Sequence, residues 1–278
     1  SRYGREVREP TALLESRGMQ PKHLTVRRHG PLARVTMARP EVRNAFNASL
    51  IAELHEAFES LGSEGDVRAI VLAGEGKAFC GGADVNWMQA SLELSFDENL
   101  EDARALSRML RAIDRTPKPV IGRIQGAALG GGTGLAAVCD IVVASDDAFF
   151  GFTEVKLGIV PATISPFAIA KIGMSQMRAL GLTGERFSAH HARTIGLVHE
   201  VVVESELDEA IERVVKAILS ASPTGIAVAK DLFPRVAQAS YDETLELTAK
   251  SIAEQRTSPE GQEGLRAFLE KRRPAWME

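Results

Sequence analysis

The chain has 278 residues, 45% of them hydrophobic, and its 33 basic and 37 acidic side chains leave a formal net charge of −4. That is ample for a packed core and suggests one large domain, or one domain with an appendage. The mixed charge argues against a general nucleic-acid binder, and two cysteines without a CxxC spacing read as free thiols in a reducing compartment, not as a disulfide framework.

The first twenty residues are polar, arginine-rich and aperiodic, and Glu6, Glu9 and Glu15 count against a transit peptide. A flexible N-terminal arm over 1–20 is expected, with the compact fold starting near Met19. Two short β-rich runs in 23–37 flank a His-Gly-Pro turn and predict a hairpin. Leu50, Ile51, Leu54 and Phe58 fall at helical spacing, which predicts a helix over 48–62 with Gly62 as its stop. Residues 68–74 (RAIVLAG) read as a buried strand, 74–85 as a glycine-punctuated loop, and 97–116 as a charged amphipathic helix. Residues 119–124 and 140–145 are further strands, giving the rhythm of an α/β fold with crossovers. After residue 204 only amphipathic helical stripes remain, so the division expected is a core over 21–203 and a helical region over 204–278. The helices would dock on the core or on another subunit. The most apolar window, 126–144, is broken by glycines and carries Asp140, so no membrane span is predicted and a cytoplasmic protein is expected.

Several chemistries lose their support at once. No GxGxxG occurs in register, Gly76-Lys77 lacks the rest of a P-loop, and neither GxSxG nor HExxH is present. His190-His191 reads as a helix-surface pair, since no second cluster accompanies it, so no metal is expected. Cys80 reads as a small apolar side chain. What remains is a glycine-rich loop at Gly81-Gly82 and a strand-to-helix turn at Gly130, Gly131 and Gly132. Glycine lets a ligand approach the main chain, and a helix starting near Gly131 would aim free N–H groups at it. Tight packing of the turn against a neighbouring strand explains the same residues, and the two readings stand level.

The segments KAFCGGADV (77–85), GAALGGGTGLAAVCDIVVAS (126–145) and FFGFTEVKLGIVP (149–161) resemble the crotonase (enoyl-CoA hydratase/isomerase) superfamily. RPEVRNAFN (39–47) and EGLRAFLEKRRPAW (263–276) are similar to its first substrate loop and final helix, and the order holds from about residue 23 to 276. The resemblance implies a spiral of ββα units, a C-terminal helical region that makes a homotrimer or a dimer of trimers, and acyl-CoA substrates, with no cofactor beyond the coenzyme A of the substrate. It implies that the backbone N–H groups of Ala83 and Gly131 form an oxyanion hole and that Glu154 is the acid/base; read alone, Glu154 is a surface acid beside Lys156. It further implies substrate contacts at Arg43, Ala45, Lys77, Phe79, Gly81, Asp84, Val85, Gly130, Thr153, Leu157 and Pro161. Arg43, Lys77, Lys271 and Arg272 could meet the phosphates of coenzyme A, or be plain solvated cations, and Trp87 and Met88 could line the acyl pocket.

Gly134 departs from the hydratase pattern, which places a second glutamate there. One carboxylate suffices for a 1,3-proton shuttle, which favours a double-bond isomerase. Yet residues 82–106 and 153–167 resemble bacterial methylglutaconyl-CoA hydratase-type enzymes of leucine degradation, in which glycine also occurs at this position. The expectation is therefore an enoyl-CoA hydratase of that type, with Glu93, Asp97, Glu98 or the substrate's own carboxylate replacing the missing group. The alternatives are an isomerase and a non-catalytic acyl-CoA-binding protein. A residue-134 side chain is expected to face the reacting carbon.

Overall fold

The computed structural model describes residues 21–277, so the arm expected over 1–20 lies outside the described residues. Strands β1 (Leu24–His29) and β2 (Leu32–Met37) form the expected hairpin, with Gly30 at φ 58° in its turn. Helix α1 (Ala48–Ser63) follows, capped by the Asn47 side chain, which accepts the Leu50 N–H at 2.8 Å. Gly62 does not stop this helix. It lies inside the last turn, where an added Cβ would stand 3.0 Å from Thr116 Oγ1; close packing, not chain reversal, selects the glycine.

Strand β3 (Ala69–Gly74) is buried throughout. Short helix α2 (Val85–Ser91) and long helix α3 (Phe96–Arg115) lead to β4 (Val120–Ile124), β5 (Ala127–Leu129) and α4 (Gly131–Val138). The same order recurs in β6 (Ile141–Ser145), β7 (Phe149–Gly151) and α5 (Ser165–Thr183). Each of these two ββα units lays its first strand in one sheet and its second in another. The large sheet runs β1-β2-β3-β4-β6-β9, where β9 is Glu200–Val202, and is parallel beyond the hairpin. The small sheet runs β5-β7-β8, where β8 is Arg186–Ser188. Single-residue bridges between Cys80 and Ala128 and between Phe46 and Ala83 extend the pairing pattern of the small sheet back through the earlier turns of the chain. Segments 44–46, 80–83 and 127–130 thus lie side by side, one from each successive turn.

Side-chain alternation accounts for burial on both faces of the large sheet. Ile70, Leu72, Val120 and Val142 join Leu50, Leu54, Phe58, Leu110 and Ile113 in the main core. Ala69, Val71, Ile121 and Val143 face the opposite way, onto Leu207, Ala210, Ile211, Val215 and Ile218 of α7 (Leu207–Ser220). Earlier in the chain, α6 (Ala189–Thr194) turns Ala189 and Ala192 to the main core and carries the exposed pair His190 and His191.

The first helix of the 204–278 region therefore belongs to the packing of the sheet. The last three, α8 (Pro223–Gln238), α9 (Tyr241–Thr257) and α10 (Pro259–Leu269), bury almost nothing: among them only Ala267 is fully enclosed. Polar contacts tie α8 and the segments flanking the three helices to the body: Lys230 Nζ donates to Asp140 Oδ2 at 2.7 Å, and Arg68 donates to the Trp276 and Ala221 carbonyls, each at 2.7 Å. No helix among the described residues is long and apolar enough to cross a membrane.

Candidate active site

The site is built where the three parallel segments end beside the start of α4. Gly130 caps that helix with φ 52° and ψ −119°, a conformation in which a side chain would be strained. The Gly134 N–H returns to the Gly130 carbonyl at 3.1 Å, so the N–H groups of Gly131, Gly132 and Thr133 precede the intrahelical ladder. The Thr133 hydroxyl donates to the Ala128 carbonyl at 2.7 Å and accepts the Gly151 N–H at 3.1 Å, which fixes the helix start on both β5 and β7.

Beside it, the Phe46 N–H donates to the Gly82 carbonyl at 2.7 Å and the Asp84 N–H to the Phe46 carbonyl at 2.8 Å, which leaves the Ala83 N–H facing away from that strand. Neither the Ala83 nor the Gly131 N–H donates to an acceptor among the described residues. Their segments are joined by Leu129 N–H to the Cys80 carbonyl at 3.0 Å, and an added Cβ on Gly82 would stand 3.1 Å from the Leu129 carbonyl.

Packing explains two of the glycines without any ligand. A Cβ on Gly131 would lie 2.5 Å from Phe46 Cε2, and one on Gly132 would lie 2.4 Å from the Cys80 carbonyl oxygen. The packing reading of the glycine turn thus holds, and it leaves the Gly131 N–H without an acceptor among the described residues.

Glu154 sits in the 3-10 turn Thr153–Leu157 that follows β7. Its carboxyl is pressed against Gly130: an added Cβ there would stand 3.3 Å from Oε1 and 4.0 Å from Oε2. Oε2 is buried and has no hydrogen-bond partner among the described residues. Desolvation raises the acid above the usual carboxylate range, only partly offset by a hydrogen bond from its own backbone N–H. A half-buried carboxyl held one residue from a free helix N–H is equipped to take up and release a proton.

The other sequence candidates divide. Ala45, Gly81, Gly130 and Thr153 lie on the segments that frame the site, and Phe79 is entirely buried beneath it, which makes Phe79 a support and not a surface for substrate. Val85 and Leu157 are exposed, Pro161 is half-buried, and Arg43 and Lys77 are exposed cations. Asp84 is committed elsewhere: its carboxylate accepts Arg39 Nη2 at 2.7 Å and caps α2 through the Asn86 N–H at 2.8 Å, with the side chain 6% exposed. Arg272 is bound by Glu263 and Glu270, whereas Lys271 makes no ion pair among the described residues. Trp87 Nε1 donates to Asp102 at 3.2 Å, and Trp87 packs partly against the main core. Glu98 closes a capping box with Ser95, whose hydroxyl and N–H hold its carboxylate low; Glu93 and Asp97 are exposed.

Sequence reading missed the polar clasp behind these loops. Arg39, 8% exposed, bonds Asp84 and the Ala45 carbonyl. Asn44, fully buried at φ 54°, accepts the Arg39 N–H and donates to the Glu75 and Ala78 carbonyls, all at 2.8 to 2.9 Å. An asparagine between Arg43 and Ala45 is the one signal that could have marked this left-handed bend. Cys80 and Cys139 are buried, and burial pushes both thiols up to about 12, which excludes a thiolate nucleophile at neutral pH. No group of three His, Cys, Asp or Glu among the described residues is arranged to hold a metal.

The space beside position 134 is already filled. A Cβ there would lie 2.3 Å from Ile164 Cγ2 and 2.9 Å from Ile164 Cβ. A side chain on Gly134 would thus run into Ile164, which is 1% exposed. A separate groove of about 460 Å³ between α1 and α3, lined by His55, Glu59, Arg108, Arg111 and Arg115 among others, contains none of the candidate site residues.

Two ββα units with their strands shared between two sheets, and a helix start beside a half-buried carboxyl, make up the fold and the candidate site. The profile of the enoyl-CoA hydratase/isomerase family matches residues 27–278, and the chain belongs to that family. It is 31% identical over 257 residues to the short-chain-enoyl-CoA hydratase of Clostridium acetobutylicum, covering 92% of this chain and 97% of that one. The crystal structure of an enoyl-CoA hydratase from Shewanella pealeana superposes with a TM-score of 0.91 at 37% identity, over 96% of this chain and 99% of the other. That of an enoyl-CoA hydratase from Mycobacterium smegmatis gives 0.87 at 34%, over 92% and 99%.

Proposed function

We propose that the protein is an enoyl-CoA hydratase that adds water across the 2,3 double bond of an acyl-CoA thioester, with methylglutaconyl-CoA as the substrate type. The observation that carries this reading is the Glu154 carboxyl, half-buried and raised in pKa, set against Gly130 next to the free N–H of Gly131. As the water oxygen bonds to the β-carbon, Glu154 takes one proton from it. The double-bond electrons move toward the thioester carbonyl, whose oxygen gains charge as an enolate. The N–H groups of Ala83 and Gly131 donate to that oxygen, a type of contact worth about 3 kcal/mol per donor. The enolate then collapses to take the proton from Glu154 at the α-carbon, so H and OH are added and the carboxylate is regenerated. No metal or redox group enters these steps, and coenzyme A is part of the substrate.

The single carboxylate also suits a second reading, an isomerase in which Glu154 moves one proton between the α- and γ-carbons. A panel of enoyl-CoA thioesters followed at the thioester-conjugated double bond separates the readings. Loss of that absorbance marks hydration, its appearance from a 3-enoyl substrate marks isomerisation, and no change with tight binding marks a binding protein. The first outcome is expected.

A further inference from the structure

We infer that Ile164 is a specificity-determining residue: its side chain occupies the volume that any side chain at position 134 would need, and so holds the site to one carboxylate. Gly130 and Gly134 are one helical turn apart, about 6 Å along the axis of α4. The Glu154 carboxyl covers the first and Ile164 covers the second. The hydratase pattern places its second acid at the position of Gly134, one turn along α4 from the glycine that Glu154 covers. Ile164 closes that position with an apolar group that is fully enclosed.

The contact is specific in its demands. Both the Cγ2 and the Cβ of Ile164 fall within 3 Å of the added Cβ, whereas its Cα is 4.0 Å away. Shortening Ile164 to alanine would remove the 2.3 Å conflict with Cγ2 but leave the one with Cβ at 2.9 Å, so only glycine clears the space. Single- or double-carboxylate chemistry is thus set by the pair, one residue large and the other bare, and position 134 cannot gain a side chain while Ile164 stays.

This inference rests on Glu154 as the acid/base, and its test keeps the two apart. Gly134→Glu, Ile164→Gly and the double variant are compared by thermal melting, by pH–rate profile and by the ratio of hydration to isomerisation of an unbranched 2-enoyl-CoA. Gly134→Glu alone should lower Tm by about 5 °C or more, as overpacked cores do. The double variant should melt well above the sum of the two single losses. It should also gain a second ionisation in its pH–rate profile and raise the hydration ratio at least about tenfold over Ile164→Gly. A Gly134→Glu variant with native Tm, or additive losses in the double variant, would overturn the inference. If the two substitutions couple in Tm while the native protein turns over no enoyl-CoA, the steric assignment holds and the proposed activity falls.

Discussion

The Glu154 carboxyl rests on the bare Cα of Gly130, with the space a β-carbon would take lying 3.3 Å from Oε1. Because Gly130 has no side chain, an acid from the turn after β7 can stand beside the first free N–H of α4. The same contact removes water from Glu154 and raises its pKa.

That arrangement costs stability at neutral pH. A carboxyl whose folded pKa is raised stabilises the fold fully below its ordinary pKa, and this contribution is lost as pH rises through the folded value. Glu154→Gln should therefore melt above the native protein at pH 7, with the gap closing as the pH falls below about 4. Calorimetry at the two pH values checks the sign; a variant less stable at pH 7 would contradict it.

Gly131 is confined by the Phe46 ring. Gly131→Ala should cost about 1–3 kcal/mol of stability through overpacking and, by shifting the helix start, lower kcat by about 10²-fold. Phe46→Leu in the same chain should restore most of the lost stability. A Gly131→Ala variant with native Tm and native kcat would show that this N–H is not held by the contact.

Asp208 binds Arg123 at 2.8 Å and Arg34 at 2.9 Å, and these hydrogen bonds, that to Arg123 foremost, hold its carboxyl at about 2. Its depressed pKa adds stability above pH 4 that disappears as the pH falls toward 2. The side chain is 60% exposed, so screening limits the effect of Asp208→Asn to about 1 kcal/mol at pH 7. A Tm lowered by about 2–4 °C at pH 7, and unchanged at pH 2, is the expected result.

The last three helices leave Phe233, Tyr241, Phe268 and Leu269 each more than two-thirds exposed. Faces of this kind are covered in oligomers. Light scattering at micromolar concentration should give the mass of a trimer or a hexamer; a monomeric mass would contradict this.

The sequence made some of this legible and hid the rest, for physical reasons. β3 was plain because a strand buried on both faces reads as an unbroken apolar run, AIVLAG. The helix of 97–116 was plain because one of its faces is charged. The small sheet was not, because β5, β7 and β8 have three residues each and no periodicity can develop in three residues. Glu154 and the glycine turn were legible through their resemblance to a family. The contact of Ile164 with Gly134, 30 residues apart, and the ion pair of Arg39 with Asp84, 45 apart, were not, since each depends on how successive turns of the chain stack.

The central claim is that Glu154 alone moves the proton during hydration. Its most direct test is the turnover of methylglutaconyl-CoA, followed at the conjugated double bond, by the native protein and by Glu154→Gln side by side. The account predicts loss of absorbance with the native protein and a kcat at least about 10²-fold lower in a variant with an unchanged circular dichroism spectrum. A folded Glu154→Gln variant that hydrates the substrate at the native rate would contradict it.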